Sequence, residues 1–527
     1  MKRLLSILYF VTMTAAALVT GSSCNKQLNY TPEVFLSGNN VYSSQTGAIA
    51  GVTGVYQQLQ TLKASDYALI GIIGTDEVRC TYQNQGYGSY YAGITGLDVY
   101  DITFNSQNSD ISGFWTDCYA GIANANAAIQ YIPGVTFSDT TVRSRLLGEA
   151  SFLRAVFYFY LVQLYGDVPL RLPGASFSNG VPRTPAATVY NQILADLQFA
   201  VANCWTRAKN PDVGRASIES SLALLGKVYL TLHDYPNAQK TFETLINTYN
   251  ISLLASYPNL FNEAYENNAE ALFQVQYSQE SGSTNGLANW FGFGDGPSAL
   301  NEPSPTITSP GYGGNVVIAT AWYADSVWEP GDTRYRSSIT PEYFYANATD
   351  SSQNWSWWDD IGLPHINKYD ITQGSINCYQ STKNEYYLRS ADVFLMYAET
   401  LNEQGQTATA LAPLNKVRNR AGLANLEVEL GAVPDQTTMR AQIMLERTRE
   451  LGGEGWRWFD LKRTGTLVSA VITHNNPHGY WEDPSRNGPG DAHPSQNVSD
   501  KNNLYPIPLT ELQTNLALSL TDQNPGY

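Results

Sequence analysis

Two stretches far apart in this chain share one spacing of large and small residues. In the first, Leu222, Leu225, Gly226 and Tyr229 are followed by a turn at Asp234–Pro236, then by Ala238, Phe242 and Leu245. In the second, Phe394, Tyr397, Ala398 and Leu401 precede Gly405 in the turn, and Ala410, Leu414 and Val417 follow. Steps of three and four residues put each set on one face of a helix. Each stretch therefore reads as two helices packed back to back. The small residues Gly226, Ala238, Ala398 and Ala410 let the helices approach closely, and the large ones fill the space between them.

This spacing is the tetratricopeptide pattern. Pairs so far apart in sequence need not stack on each other, but they predict an α-helical scaffold. Further helices are expected at Thr46–Leu62, Phe114–Ile132, Leu146–Tyr165 with Gly166 as its stop, Met439–Leu451 and Phe459–Arg463. Thr184 and Pro185 read as the cap and first turn of another, ending near Ala202. Residues 64–113, 250–385 and 474–503 lack helical periodicity and are rich in Gly, Asn, Ser, Pro and aromatics, with strand-like runs such as Leu272–Tyr277. Loops this long are usually functional or disordered, and their aromatic content argues against disorder. The expected fold is mainly α: a tetratricopeptide-repeat-like scaffold with a loop-rich irregular half containing a few short strands.

The N-terminus constrains location. Lys2 and Arg3 precede an uncharged run from Leu4 to Thr20, then Gly21, Ser22, Ser23 and Cys24. That order is a secretory leader spanning residues 1–23, and its apolar run falls short of the ~20 residues of a spanning helix. Small residues before a cysteine suit a lipoprotein signal peptidase, so Cys24 is the expected lipidation site. Gly21 stands where such leaders usually carry Leu; the other reading is an ordinary cleaved leader, with Cys24 a thiol. Loss of Lys2 and Arg3 takes the net charge from −16 to −18, which disfavours nucleic acid and anionic lipid as partners. Cys80, Cys118, Cys204 and Cys378 remain, with no CxxC pair. One or two disulfides are compatible with export, but spacing does not pair them.

Four blocks carry a family resemblance. They are LGEASFLRAVFYFYLVQLYGDVPL at 147–170, YYLRSADVFLMYAETLNEQG at 386–405, LERTRELGGEGWRWFDLKRTG at 445–465 and the terminal LYPIPLTELQTNLALSLTDQNPGY. In content and order they resemble the SusD/RagB family of Bacteroidetes outer-membrane lipoproteins. The resemblance implies an N-terminal region over 24–260 and a C-terminal region over 261–527 in one compact fold. It implies a surface-exposed protein, lipid-anchored in the outer membrane at Cys24, that captures a nutrient, most often a glycan or oligosaccharide. Such proteins cap a SusC-like TonB-dependent transporter and pass the nutrient into it. A peptide-binding RagB-type subunit is the variant reading. Within the blocks, Glu149, Arg154, Arg389, Asp392, Glu446, Arg447 and Glu450 lie among apolar helical residues. Buried charges must be paired, so these are expected to lock helices together, with Trp456 and Trp458 in the core.

A glycan is bound by stacking aromatic rings on its C–H faces and pairing its hydroxyls with polar side chains. The aromatics outside helical periodicity concentrate in two places, 82–91 and 290–358. The expected stacking residues are Tyr82, Tyr87, Trp290, Trp355 and Trp357, and the expected polar contacts are Arg79, Asn84 and Asp359. Trp322 and Trp328 are expected in the core. An exported glycoside hydrolase is the rival. It needs two carboxylates set across a bond, and the adjacent Asp359 and Asp360 usually point different ways. His474 and His478 are separated by Pro477, which argues against a shared helix face; His493 is a possible third ligand, but HExxH is absent. Asn347–Asp360 lacks an EF-hand pattern, and there is no GxSxG. No catalytic residue, metal or cofactor is expected.

Overall fold

The computed structural model describes residues 41–80, 92–174, 180–278, 284–291, 316–340, 364–369, 381–475 and 494–527. Side-chain caps set the early helices. Ser44 accepts from Gly47 N–H to open α1 (Gln45–Ala64). After the short strand β1 (Val78–Cys80), α2 (Ala92–Val99) lies within a stretch expected to be irregular. Asn108 caps α3 (Ser109–Tyr131) by accepting from Asp110 and Ile111 N–H. Asp139 caps α4 (Thr140–Tyr165), which starts before the expected Leu146 because its first turn is polar and gives no periodic signal. From Leu146 almost every residue of α4 is buried, so this helix runs through the interior. Gly166 ends it at φ +72°, a conformation open to glycine.

Thr184 does not cap the following helix. It pairs with Val168 in the ladder of β2 (Val168–Pro169) and β3 (Arg183–Thr184). Asp167 Oδ1 accepts from Ala186 N–H at 2.8 Å instead, so the cap of α5 (Ala186–Asn203) comes from the turn after α4.

The two tetratricopeptide-like pairs are α6 (Ile218–Thr231) with α7 (Tyr235–Tyr249), and α9 (Ser390–Glu403) with α10 (Thr407–Arg420). Between them lie β4 (Ala271–Val275), the short helix α8 (Leu287–Phe291), β5 (Val317–Ala319), β6 (Ile339–Thr340), β7 (His365–Ile366) and β8 (Glu385–Arg389). The pairs stack directly: α9 packs on both α6 and α7. Tyr397 OH donates to Glu243 Oε1 at 3.1 Å, and Gln404 Nε2 to Gln239 Oε1 at 2.8 Å. Antiparallel pairing of the fully buried β4 and β8 brings the second pair up to the first, since β8 runs straight into α9. A Cβ on Gly226 would lie 2.3 Å from the Phe242 ring, so the α6–α7 crossing depends on a glycine there.

α11 (Gln436–Leu451) packs on α9 and α10, followed by α12 (Arg457–Arg463) and α13 (Leu467–His474). A chain of ring contacts ties the two halves together. It runs from Phe152 of α4 to Phe273, on to Tyr387 and then to Trp456, with centroids 5.1, 5.9 and 5.3 Å apart. Trp456 and Trp458 are buried, as expected.

The signature charges are buried and paired. Arg389 holds Glu270 at 3.0 Å, Glu450 at 2.5 Å and Glu454 at 2.8 Å. Glu450 also meets Arg334 and Arg420, and Arg447 bridges Asp392 (2.9 Å) and Asp460 (2.7 Å). Arg154 grips Asp196 with two hydrogen bonds, and Glu149 takes Arg215 and Tyr56. Networks of this kind are costly to desolvate and fix which helices meet rather than adding much net stability. Cys118 and Cys204 are buried thiols in no disulfide, and Cys80 is joined to neither; Cys378 lies outside the described residues.

Candidate functional site

Strand pairing sets the site. β1 and β5 run antiparallel, with Cys80 opposite Val317 and Val78 opposite Ala319. The segment carrying Tyr82, Asn84 and Tyr87 therefore leaves the ladder at Cys80, beside the point where the segment after Trp290 enters it at Val317. That second segment is closed at its base, because Val316 N–H donates to the Trp290 carbonyl at 3.0 Å. The β6–β7 ladder, Thr340 opposite His365, closes the base of the segment holding Trp355, Trp357 and Asp359. Ala319 N–H donates to Pro364 O, which joins this base to β5. The segment expected to carry Tyr82, Asn84 and Tyr87 and the segment after Trp290 thus start from one end of the ladder, and the segment with Trp355, Trp357 and Asp359 is tied to its other end.

Among the expected contact residues, Arg79 and Trp290 are described, and both are buried. Arg79 is 5% exposed, with Nε 3.5 Å from Asp98 Oδ2. Trp290 is 4% exposed and belongs to the main core. Both serve at loop bases: Arg79 is committed to an internal carboxylate, and the Trp290 ring is enclosed by the core it helps to build. Tyr82, Asn84, Tyr87, Trp355, Trp357, Asp359 and the anchor Cys24 lie outside the described residues.

The structure brings forward a pair that spacing did not mark. Trp322, expected in the core, is half-buried and stacks on the His474 ring at 4.1 Å with 3° between the planes. His474 is the last residue of α13, and its side chain is 31% exposed. Trp322 opens a π-helical turn (Trp322–Ser326) directly after β5; such turns recur at functional sites. Trp328 packs against the core and donates Nε1–H to Tyr323 O.

Below the stack lies Asp76, fully buried, which accepts from Arg457 Nε (2.7 Å) and Nη2 (2.6 Å) and sits 3.1 Å from His474 Nδ1. Burial alone would raise the Asp76 carboxyl, but Arg457 and His474 outweigh it and bring it down to about 2. The neighbouring Glu77 behaves oppositely. Burial dominates there, Arg457 stands 3.9 Å away, and the Asp76 charge adds repulsion, so its pKa is pushed up to about 7. Asp76 is thus a fixed anion that orients His474, and the exposed ring edge beside Trp322 is left to face solvent. Asn475 Nδ2 donates to Thr75 O at 2.6 Å and seats the end of α13 on β1's approach. The imidazole covers one face of the indole and Arg457 stands 5.6 Å over the Trp322 ring, so what this pair can offer a sugar is apolar ring edge and a hydrogen-bonding imidazole. No sequence signal marked this pair: residues 474–503 lack helical periodicity, and the contact of Trp322 with His474 joins residues far apart in the chain.

Among the described residues no group of three His, Cys, Asp or Glu side chains is placed to hold a metal, and no helix is long and apolar enough to cross a membrane.

Two family models match the chain. One, described as the SusD family, covers residues 318–527, and the other, described as starch-binding associating with outer membrane, covers residues 74–230. SusD-like protein P25 of Formosa agariphila is 26% identical, over 96% of this chain and 97% of that protein. The starch-binding protein SusD of Bacteroides thetaiotaomicron is 23% identical, over 77% of this chain and 76% of its own. A solved laminarin-binding SusD-like protein superposes with a TM-score of 0.74 at 27% identity, covering 92% of this chain and 100% of that one. A SusD homologue from Bacteroides thetaiotaomicron superposes with a TM-score of 0.76 at 23% identity, covering 93% and 98%, and shows the fold alone.

Proposed function

We propose that this chain, which belongs to the SusD family, is a carbohydrate-binding protein of the outer membrane that captures an oligosaccharide without cleaving it. The observation that carries this reading is the anchoring of the aromatic-rich segment 81–91 and of the segment after Trp290 at one end of the β1–β5 ladder, and of the aromatic-rich segment 341–363 at its other end, with the half-buried Trp322–His474 stack following β5. One solved neighbour, covering 92% of this chain, is named as laminarin-binding, and one relative, covering 77% of it, is named as starch-binding. On this reading Tyr82, Tyr87, Trp355 and Trp357 supply stacking faces, Asn84 and Asp359 supply polar contacts, and Trp322 with His474 joins them. Lipid on Cys24 holds the protein at the cell surface, and a SusC-like TonB-dependent transporter receives the sugar. Residues 24–260 and 261–527 act as two regions of one unit, and the ring contacts that cross from one to the other support that unity.

The test is titration of the mature protein with a panel of glycans by calorimetry, with reducing ends assayed in parallel. Saturable binding without new reducing ends is the expected result. New reducing ends that vanish in Asp359→Ala would establish a hydrolase instead.

A further inference from the structure

A second concave surface lies away from the β1–β5 ladder. The turn after α5, the end of α7 and the strand β4 enclose a groove of about 440 Å³. None of its lining residues belongs to β1, β5 or α13, so it is separate from the Trp322–His474 stack. Left-handed backbone at Asn250 (φ +50°) ends α7 and turns Ile251 and Ser252 along the wall. Asn250 and Ser252 are exposed, Tyr249 is half-buried, and Val213 is 68% exposed. The space is in the range of small-molecule sites, ~300–1,000 Å³, and exceeds what a bare inorganic anion fills.

The charges on this lining run against those of the chain. The protein carries a net −16, yet the charged residues of the groove are Arg207, Arg215 and Glu219. Arg215 is already paired: Nη1 meets Glu149 at 3.1 Å, and Nη2 donates to Thr53 Oγ1 at 2.8 Å. Arg207 is not. Its guanidinium donates to two backbone carbonyls, Asn268 O at 2.8 Å and Ala269 O at 3.2 Å, and enters no ion pair among the described residues. Glu219 directs both carboxylate oxygens to the Arg207 backbone N–H, at 3.2 and 3.0 Å. Burial pulls the Arg207 pKa down, and the Glu219 charge opposes it only in part. The buried arginines Arg334 and Arg389, in contrast, each hold carboxylates directly. A half-buried guanidinium held by neutral carbonyls keeps free donors and lacks the counter-charge that its burial calls for.

We propose that this groove is a second saccharide site, specific for a sugar that bears a carboxylate, with Arg207 pairing the carboxylate. A planar carboxylate matches the guanidinium fork and supplies the missing charge. The Asn250 amide and the Ser252 hydroxyl pair with sugar hydroxyls, and Tyr249 and Val213 meet its C–H groups. That the ligand is a sugar rests on the carbohydrate-binding reading; the groove's demand for an anion does not.

The experiment titrates the full mature chain with methyl glucuronide and methyl glucoside by saturation-transfer NMR. The two probes differ only in carrying a carboxylate or a hydroxymethyl group. The glucuronide should bind at least about tenfold more tightly, the fold-change of one hydrogen bond between charged partners. Arg207→Gln should abolish that advantage. Because this change also frees two carbonyls, Ser252→Glu gives a second arm on an exposed residue. It should weaken glucuronide binding by repulsion, whereas Ser252→Gln should not. Trp322→Ala should leave glucuronide affinity unchanged. Equal affinity for the two probes, or an advantage that survives Ser252→Glu, would overturn the proposal. Loss of glucuronide binding in Trp322→Ala would place the contact at the ladder, and displacement by acetate at equal concentration would mean an adventitious ion only; either result overturns it. In each of these cases, saturable binding of a neutral glycan leaves the carbohydrate-binding reading standing.

Discussion

Lys227 Nζ of the first helix pair lies 2.9 Å from Asp392 Oδ2 of the second, with both side chains buried and the same ammonium 3.0 Å from the Trp456 ring centroid. This one contact joins α6, α9 and the segment before α12. Removing one partner of a buried ion pair leaves a charge without solvent or counter-charge. Here Arg447 still holds Asp392, so Lys227→Met should cost about 3 kcal/mol, at the low end for such losses. A urea titration checks it, with a lowered midpoint and an unchanged slope expected.

Gly226 sits where α6 crosses α7. A leucine there would drive its side chain through the Phe242 ring, so Gly226→Leu should destabilise by about 3 kcal/mol. Phe242→Ala in the same chain should relieve part of the clash. The double mutant should then be more stable than the sum of the single changes predicts, which a double-mutant cycle measures.

Glu77 predicts an unusual pH response. Its folded pKa is about 7 against an ordinary 4.5, so the folded state binds its proton more tightly than the unfolded state does. This stabilisation is complete below pH 4.5 and is lost as pH rises through 7. The size is about 3 kcal/mol by linkage. Asp76 contributes nothing to that window, because its carboxyl is held at about 2 and its stabilisation disappears only as pH falls toward that value. Glu77→Gln should flatten the slope of unfolding free energy between pH 4.5 and 7, measured by denaturant titration at each pH. A slope that persists in the variant would assign it elsewhere.

Trp322 and Trp290 should separate binding from folding. Trp322→Ala removes a half-buried ring that also packs on the core and His474, so it should weaken glycan affinity by about 1 kcal/mol, roughly fivefold, with a smaller loss of stability than Trp290→Ala. Trp290→Ala empties a core position and should cost about 3–5 kcal/mol of stability. Calorimetric affinity beside thermal unfolding distinguishes the two outcomes for each variant.

Cys24→Ala should release the protein from the membrane fraction into the soluble one. Immunoblots of fractionated cells lacking any SusC-like transporter check this directly, since retention there would contradict the proposed anchor at Cys24.

How far the primary structure could be read depended on distance along the chain. Helices were legible wherever one face was apolar and a local cap closed the end, as at Ser44 and Gly166. The start of α4 and the cap of α5 were misplaced, because a polar first turn carries no period and Asp167 caps from a neighbouring turn. The ion-pair residues were legible as a set, because charges inside apolar helices must be matched. Their partners were not, since Arg389 finds Glu270 and Arg447 finds Asp460 only through packing.

The sequence by itself therefore determined a helical scaffold built on two helix pairs, the resemblance to the SusD/RagB family and the aromatic-rich segments. The tertiary structure alone decided that the two helix pairs stack on each other, that Arg79 and Trp290 face inward, and that Trp322 lies on His474 above Asp76. The physical reason is range. Periodicity, caps and composition act within a few residues of their source. The stacking of α9 on α6, and of residue 322 on residue 474, arises from burying surfaces that lie far apart along the chain.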